Sequence, residues 1–443
     1  MNRIRDPQWC LILVFLGIIA GVPLTQMLRE ARQEDGVRAF EVFSQPPTSA
    51  HLRAYERSLE DANWVARSCR PWVQFAQFAW LKYGGEKAAF GEPGWFFYRP
   101  GLNDMLARKD TIKAGGITND PVSAIVDYRD QLETRGIRLM VLPVPNKESV
   151  YPDRLTARAE LRHGLVAPRT REVLDRLRAA DVEVVDLFNA YSQARQRPDA
   201  ASQASLYLAQ DTHWSPAGVQ LAAQVVARRL VELGWVQPGQ VEYSERSTPI
   251  RRLGDVLRML QAPIIERCVR PEAVPCVQVI RRDNGESYKD APDSEVLVLG
   301  DSFTRIYERD EPGAAGFIAH LAKELKRPLM GLVNDGGGST LVRRELRDRP
   351  AFLMNKKVVL WEFVERDIGL GLEGWKLVPL PPAVESPGHV PLKTVRKGAD
   401  DEAGDDLRAL DREVIQVAAH RDVGAPAVAE LVEEIRAQLV EVD

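Results

Sequence analysis

The chain has 443 residues, 45% hydrophobic and 28% charged, which is an ordinary balance for a globular protein. That length exceeds one small core, so two or three structural units are expected. A net charge of −4, with no basic cluster interleaved with aromatics, gives nucleic acid no place among the expected partners.

The first element is PQWCLILVFLGIIAGVPLTQML, Pro7 to Leu28, which carries no charge. As a helix it is long enough for a hydrocarbon core, which takes about 20 residues. A cleaved signal peptide is the rival reading, since the strongly apolar part runs from Trp9 to Leu24. LTQMLREAR, however, lacks the small-x-small pattern of a cleavage site. Residues 1–28 are therefore read as a signal anchor or transmembrane helix. Arg29, Arg32 and Arg38 balance Arg3 and Arg5, so the positive-inside rule gives no orientation. The short tail before the apolar run favours an inside N-terminus with the bulk exported. Both readings put the main body outside the cytoplasm. Besides Cys10 in this segment there are Cys69, Cys268 and Cys276, and in an oxidising compartment two of them can pair. CVRPEAVPC can close on itself, and Cys69 can pair with either end; the sequence leaves these open. No Cys or His spacing suits a metal, and no cofactor is expected.

Residues 29–88 read as a helical stalk or packing segment, with one long helix through HLRAYERSLEDANWVARSCRPWVQFAQFAWLKYG and a stop at Gly84-Gly85. KAAFGEPGWFFYRPG, 87 to 101, alternates turn residues with aromatics and predicts a hairpin opening a domain over 89–378. From about residue 120, strands and helices alternate. AIVDYRDQLETRG is a helix, IRLMVLPVP a buried strand, PRTREVLDRLRAADV a helix and EVVDLF a strand. In SPAGVQLAAQVVARRLVELG, Ser215 is the N-cap, Pro216 opens the helix and Gly234 follows its end. EVLVLG, PLMGLVN and KKVVLWEFV are further strands, with GFIAHLAKELKR and TLVRRELRDR as helices. This pattern predicts an α/β fold, a mostly parallel sheet with helices on both faces. Ligands then gather at the carboxyl ends of strands, in the loops after 145, 187, 300, 334 and 363. Residues 379–443 form a Pro-rich and charged tail, closing on an amphipathic helix with Val428, Leu431, Val432, Ile435 and Leu439 on one side.

The chemistry concentrates in two short motifs. Gly300-Asp301-Ser302-Phe303 follows a buried strand and puts a hydroxyl at its carboxyl end. A serine needs a base, and the base an orienting group. In Asp211-Thr212-His213-Trp214 the aspartate and histidine project in the same sense from an extended segment, so Asp211 can hold one ring nitrogen while the other faces Ser302. Alone, Gly-Asp-Ser is a common capped turn and Asp-x-His a common capping feature. Their joint placement on the ligand edge of one sheet points to a Ser302–His213–Asp211 triad. His51, His163, His320, His389 and His420 lack such surroundings.

Three further groups stand on the same edge. Gly336, Gly337 and Gly338 can approach an oxyanion with their amides, as can the Asn334 side chain; a plain strand-to-helix turn is the alternative. No Lys-Ser/Thr follows these glycines, which argues against a nucleotide site. Asn146, Lys147, Trp214 and Tyr307 are candidate substrate contacts, with a solvated turn for the first two and core packing for Trp214 as rivals. Glu362 and Arg366 read as a structural ion pair.

Together GEPGWFFY, VPVPNKESVYP, DTHW, GDSF, NDGGGS and WEFVERD resemble the SGNH-hydrolase-like domain of alginate O-acetyltransferase proteins, the AlgX/AlgJ type, over residues 45 to 380. The resemblance implies a serine–histidine–aspartate triad at Ser302, His213 and Asp211, with Asp-x-His ahead of Gly-Asp-Ser as found here. It implies acetyl transfer to hydroxyls of an exported polysaccharide, fed by a membrane-bound O-acyltransferase partner. It implies an inner-membrane anchor with the main domain in the periplasm. The tail 379–443 does not read as the carbohydrate-binding β-domain of AlgX, and the apolar N-terminus is nearer the AlgJ arrangement. A carbohydrate esterase or deacetylase on the same triad, and a non-catalytic tethered glycan-binding protein, are the alternatives.

Overall fold

The computed structural model describes residues 7–32, 36–44, 46, 48–106, 119–156, 166–196, 205–371 and 373–381. The expected closing helix and charged tail lie outside them, as do His163, His389 and His420. Two compact units emerge, Met1–Gly85 with Leu260–Arg267, and Glu86–Met259 with Cys268–Asp443.

The first unit is helical. Helix α1 spans Pro7–Arg32. Within its segment Leu11–Arg32 an 18-residue stretch reaches a mean hydropathy of 2.3, and the segment is long and apolar enough to cross a membrane. The long helix expected after it is two helices, α2 over Ser49–Ala62 and α3 over Trp64–Leu81. Asn63 makes the break: its side chain accepts from the Ala66 amide and caps α3, which halts α2. The helix stops at Lys82, in left-handed conformation at φ 48°, two residues ahead of the expected glycines.

The second unit opens on the expected hairpin, β1 Ala88–Phe90 paired antiparallel with β2 Phe96–Tyr98. Its centre is a five-stranded sheet built from β3 Arg138–Val144, β4 Glu183–Val184, β9 Val296–Gly300, β10 Met330–Val333 and β11 Val358–Val364. The order is β10-β9-β11-β3-β4, and every neighbouring pair is parallel. Alternate residues on the strands feed two separate cores, which is why the strands read as continuous apolar runs. Met140, Leu142, Val298 and Leu360 pack with the helices Pro216–Glu232 and Phe317–Leu325. Leu139, Val141, Leu299 and Trp361 pack on the other side with Pro121–Glu133 and Leu341–Arg347. The result is three layers.

Two expectations change. EVVDLF is only a two-residue strand, because Leu187 already starts a helix to Gln196. Between residues 243 and 281 lie two antiparallel pairs that the α/β pattern did not announce. These are β5 Tyr243–Ser247 with β8 Val277–Arg281, and β6 Ile250–Arg252 with β7 Glu272–Val274. No disulfide joins Cys69, Cys268 and Cys276 in any combination.

Candidate active site

Parallel pairing sends the loops after β3, β9, β10 and β11 to one sheet edge. Ser302 sits there at the start of a single helical turn, Ser302–Arg305, capped by Asp301, whose Oδ1 accepts from the Phe303 amide at 2.8 Å. The turn is tight enough that position 300 takes only glycine. A Cβ there would lie 2.1 Å from Thr304 Oγ1 and 2.8 Å from Glu362 Oε2. Glu362 fixes the turn from below, accepting from the Asp301 amide at 3.1 Å and the Thr304 hydroxyl at 2.8 Å. The expected Glu362–Arg366 ion pair is therefore replaced by a carboxyl that faces the serine turn.

His213 Nε2 lies 2.9 Å from Ser302 Oγ, and His213 Nδ1 lies 2.6 Å from Asp211 Oδ1. With a carboxylate on Nδ1, that nitrogen donates and Nε2 accepts from the serine hydroxyl. Asp211 is fully buried, and Ser302 is half-buried. The Asp211 carboxylate also accepts from the His213 amide at 3.1 Å, from Arg252 Nε at 3.0 Å and from the Asp255 amide at 3.1 Å. Burial would raise its pKa, but His213 and the Arg252 guanidinium outweigh that and hold it below the usual carboxylate range.

The segment carrying Asp211 is clamped on both polar sides of its backbone. Lys147 Nζ donates to the carbonyls of Leu208, Ala209 and Asp211 at 3.0, 2.9 and 2.8 Å. Glu272 accepts from the amides of Ala209 and Gln210 at 3.0 and 3.2 Å. Burial lowers the Lys147 pKa to about 8, against the pull of Asp211, Asp255 and Glu272. Lys147 is thus a loop clamp, 2% exposed, and does not reach for a ligand. Asn146 is 3% exposed; its amide donates to Glu365 and its Oδ1 accepts from the Arg366 amide.

Arg252, Asp255 and Thr212 carry the site and were missed. Asp255 accepts from the Thr212 amide at 2.7 Å and hydroxyl at 2.5 Å, and its Oδ2 stands 3.5 Å from His213 Nδ1. The sequence signal was RRLGDV, a basic strand end followed by Gly-Asp, which resembles the serine turn only in that dipeptide. Asp211, His213 and Asp255 hold ligand atoms within 4.8 Å of one another, but their oxygens are already engaged by Arg252, Thr212 and backbone amides, a poor donor set for a metal.

Two candidate contacts are core residues. Trp214 is fully buried, donates Nε1 to the Phe303 carbonyl at 3.0 Å and packs against the rings of Phe303 and Phe317. Tyr307 is also fully buried and donates to the Trp214 carbonyl at 3.2 Å. Neither reaches a sugar. Trp214→Ala is expected to cost about 3–5 kcal/mol of unfolding free energy. Urea denaturation measures it; unchanged stability with a raised KM would restore the sugar-contact reading. His320 is likewise buried, and His51 half-buried.

The glycine loop is partly occupied with its own turn. The Gly337 amide donates to the Asn334 carbonyl at 3.0 Å, and the Asn334 side chain donates to Glu345 at 2.9 Å, so both leave the set of oxyanion donors. Gly336 is exposed, whereas Gly338 is buried against the serine turn. A Cβ on Gly338 would stand 2.9 Å from both Asp301 Oδ2 and Asp367 Oδ2.

Those oxygens belong to a group of buried acids, Asp301, Glu362 and Asp367. Burial raises all three, and repulsion from Asp301 adds to the rise of the other two. Asp367 is pushed up to about 7, with Arg366 pulling the other way. Its Oδ2 has no hydrogen-bond partner among the described residues. A carboxyl raised in the folded state binds more protons there, so stability falls as pH rises from the ordinary value of about 4 to about 7. Asp367→Asn is expected to raise stability at pH 8 by about 2–4 kcal/mol and to change it little at pH 4. Thermal melts at the two pH values measure this, and an equal shift at both would refute it.

The fold has counterparts among solved structures. The O-acetyltransferase domain of Pseudomonas putida AlgJ superposes with a TM-score of 0.51 at 20% identity, covering 64% of this chain and 92% of that one. The sequence is 25% identical over 272 residues to the probable alginate O-acetylase AlgJ of Azotobacter vinelandii, covering 58% of this chain and 65% of that one. A protein of the same name from Pseudomonas aeruginosa is 23% identical over 299 residues, covering 64% and 71%. The chain spans about two thirds of the length of these curated relatives. The domain family described as SGNH hydrolase-like, acetyltransferase AlgX, matches residues 88–365, from the opening hairpin through the last strand of the sheet and so across both motifs of the site. By that match the chain belongs to the AlgX family of SGNH hydrolase-like domains.

Proposed function

We propose that this chain is an O-acetyltransferase that carries an acetyl group on Ser302 to hydroxyls of an alginate-like or other cell-envelope polysaccharide. The observation that carries the reading is the continuous relay of 2.6 Å and 2.9 Å from Asp211 through His213 to Ser302. A non-catalytic glycan-binding protein has no need of those distances. The names of the AlgJ relatives supply the acetyl group and the polysaccharide.

In the first step His213 Nε2 takes the Ser302 proton as Oγ attacks the acetyl carbonyl of a donor, and then returns it to the leaving group. In the second step the sugar hydroxyl gives its proton to His213 Nε2 as its oxygen takes the acetyl group, and Ser302 regains a proton. The amides of Ser302 and Gly338 are the proposed oxyanion donors, since both stand at the serine turn. Asp211 orients the imidazole and balances its charge. No metal or organic cofactor enters either step. The donor side is a membrane-bound O-acyltransferase, and α1 anchors the chain in the inner membrane with the second unit in the periplasm. An esterase would use water in the second step. Mass spectrometry of an oligosaccharide incubated with an activated acetyl ester and the full chain separates them: mass gain on the sugar supports transfer, and loss of acetyl from an acetylated sugar supports hydrolysis.

A further inference from the structure

The first unit carries an apolar surface that the acetyl-transfer chemistry does not use. Helix α3 has two apolar sides. Phe75 and Phe78 face inward, each 8% exposed. On the other side Trp72, Val73, Ala76 and Trp80 recur at spacings of three and four, which brings them onto one helix face. Trp80 is 72% exposed, Val73 54% and Trp72 51%. The short turn at Arg38–Phe43 adds Phe40 at 61% and Phe43 at 83%. An exposed apolar surface of this kind, rimmed by charge, marks an interaction site.

The end of α1 indicates what covers it. Gln26 donates to the Ala62 carbonyl and accepts from the Trp64 amide, each at 3.1 Å. Glu30 accepts from the Arg38 amide at 2.9 Å, and the Arg29 guanidinium lies 5.6 Å from the centre of the Trp64 ring. The last turns of the membrane-length helix are thus tied to the first residue of α3 and to the first residue of the Arg38–Phe43 turn. With α1 read as a span, these two elements begin where it would leave the hydrocarbon. Arg67, Arg70 and Lys82 are exposed on and just beyond α3, so the helix is amphipathic and too charged to span. Exposed tryptophan and phenylalanine flanked by arginine and lysine suit the headgroup layer, where the rings bury and the cations meet anionic phosphates.

The geometry points to α3 and the Arg38–Phe43 turn as a second membrane contact, an interfacial surface that lies on a bilayer containing anionic phospholipid. It rests on reading α1 as a span, and is independent of the chemistry at Ser302. One polypeptide then holds the bilayer at two places, and the rotation that a lone anchor helix permits is removed.

The test uses the full chain in vesicles of phosphatidylcholine and phosphatidylglycerol, with p-benzoylphenylalanine in place of Trp72, of Trp80 or, as a reference within α1, of Leu13. Irradiation followed by mass spectrometry reads phospholipid adducts. Adducts at positions 72 and 80 within about tenfold of the yield at 13 are expected for residues at the headgroup–acyl boundary. Lower yields at 72 and 80, or adducts there to protein alone, overturn the surface while leaving α1 as an anchor. Absence of lipid adducts at 13 overturns the anchor and this surface together. Acylation of Ser302 in the same samples reports separately on the proposed reaction.

Discussion

On the proposed mechanism, Ser302→Ala is expected to give a folded protein that forms no acyl-enzyme and transfers acetyl groups about 10⁵- to 10⁶-fold more slowly, the scale of losing a triad nucleophile. The substitution removes one oxygen from a half-buried side chain at the first position of a capped turn. The turn itself is held by other bonds. Asp301 Oδ1 still caps Phe303, and Glu362 still holds the Asp301 amide and the Thr304 hydroxyl. Alanine suits a helical turn, so the expected stability change is below about 1 kcal/mol. His213 keeps Asp211 on Nδ1 and loses only the acceptor role of Nε2 toward Ser302. The kinetic loss then has no structural cause besides the missing nucleophile. Intact-protein mass spectrometry after incubation with an activated acetyl ester reads the adduct, and a thermal melt reads the fold. Undiminished acetyl labelling of the alanine variant, with its melting temperature unchanged, would put the covalent step elsewhere.

How far the sequence carried depended on how local each signal was. The alternation after residue 120 was legible because a parallel sheet buried on both faces needs apolar runs such as VLVLG and KKVVLWEFV, and both are strands. The helix at Pro216 was legible from its cap, and Ser215 does accept from the Gly218 amide. DTH and GDS could be joined because each motif sits at a loop that the α/β pattern sends to the same edge. What escaped depended on contacts remote in sequence. Arg252 and Asp255 reach Asp211 through an antiparallel pair whose strands are three residues long, too short to show periodicity. Lys147 and Trp214 looked like ligand contacts because their residue types fit that task. They are spent instead on holding the 208–211 backbone and on packing against Phe303. The break at Asn63 was hidden because apolar periodicity continues through it, and one side chain bond to Ala66 resets the helix.

Asp211→Asn is expected to lower kcat by about 10⁴-fold with little change in KM. The asparagine keeps the size of the aspartate, so Lys147 and Glu272 still hold the loop by its backbone. The change lies at the 2.6 Å contact with His213 Nδ1. An amide nitrogen turned toward Nδ1 favours the tautomer whose proton is on Nε2, and that nitrogen can then no longer accept from Ser302. An amide oxygen turned there leaves its nitrogen facing the Arg252 guanidinium and the Asp255 amide, both donors. Neither orientation satisfies the site. Thr212 Oγ1 at 3.3 Å offers the same ring nitrogen a neutral acceptor, and Asp255, with Oδ2 at 3.5 Å, offers it a second carboxylate. Asp255 is already committed to the Thr212 amide and hydroxyl, and a loss below about tenfold in the Asp211 variant would show that it takes over regardless. Stability supplies an independent readout. The Asp211 carboxyl is held below the usual range, so its contribution is complete above the unfolded value of about 3.9 and is lost as pH falls through the lower folded value. Asp211→Asn removes that contribution at neutral pH and has less left to remove in acid. Its melting temperature should therefore trail the parent at pH 7, and the gap should begin to narrow only as pH falls below about 3.9 and close toward the lower folded value. A constant gap would mean that the carboxylate contributes shape alone, and the Arg252–Asp211–His213 chain would then lose its electrostatic role.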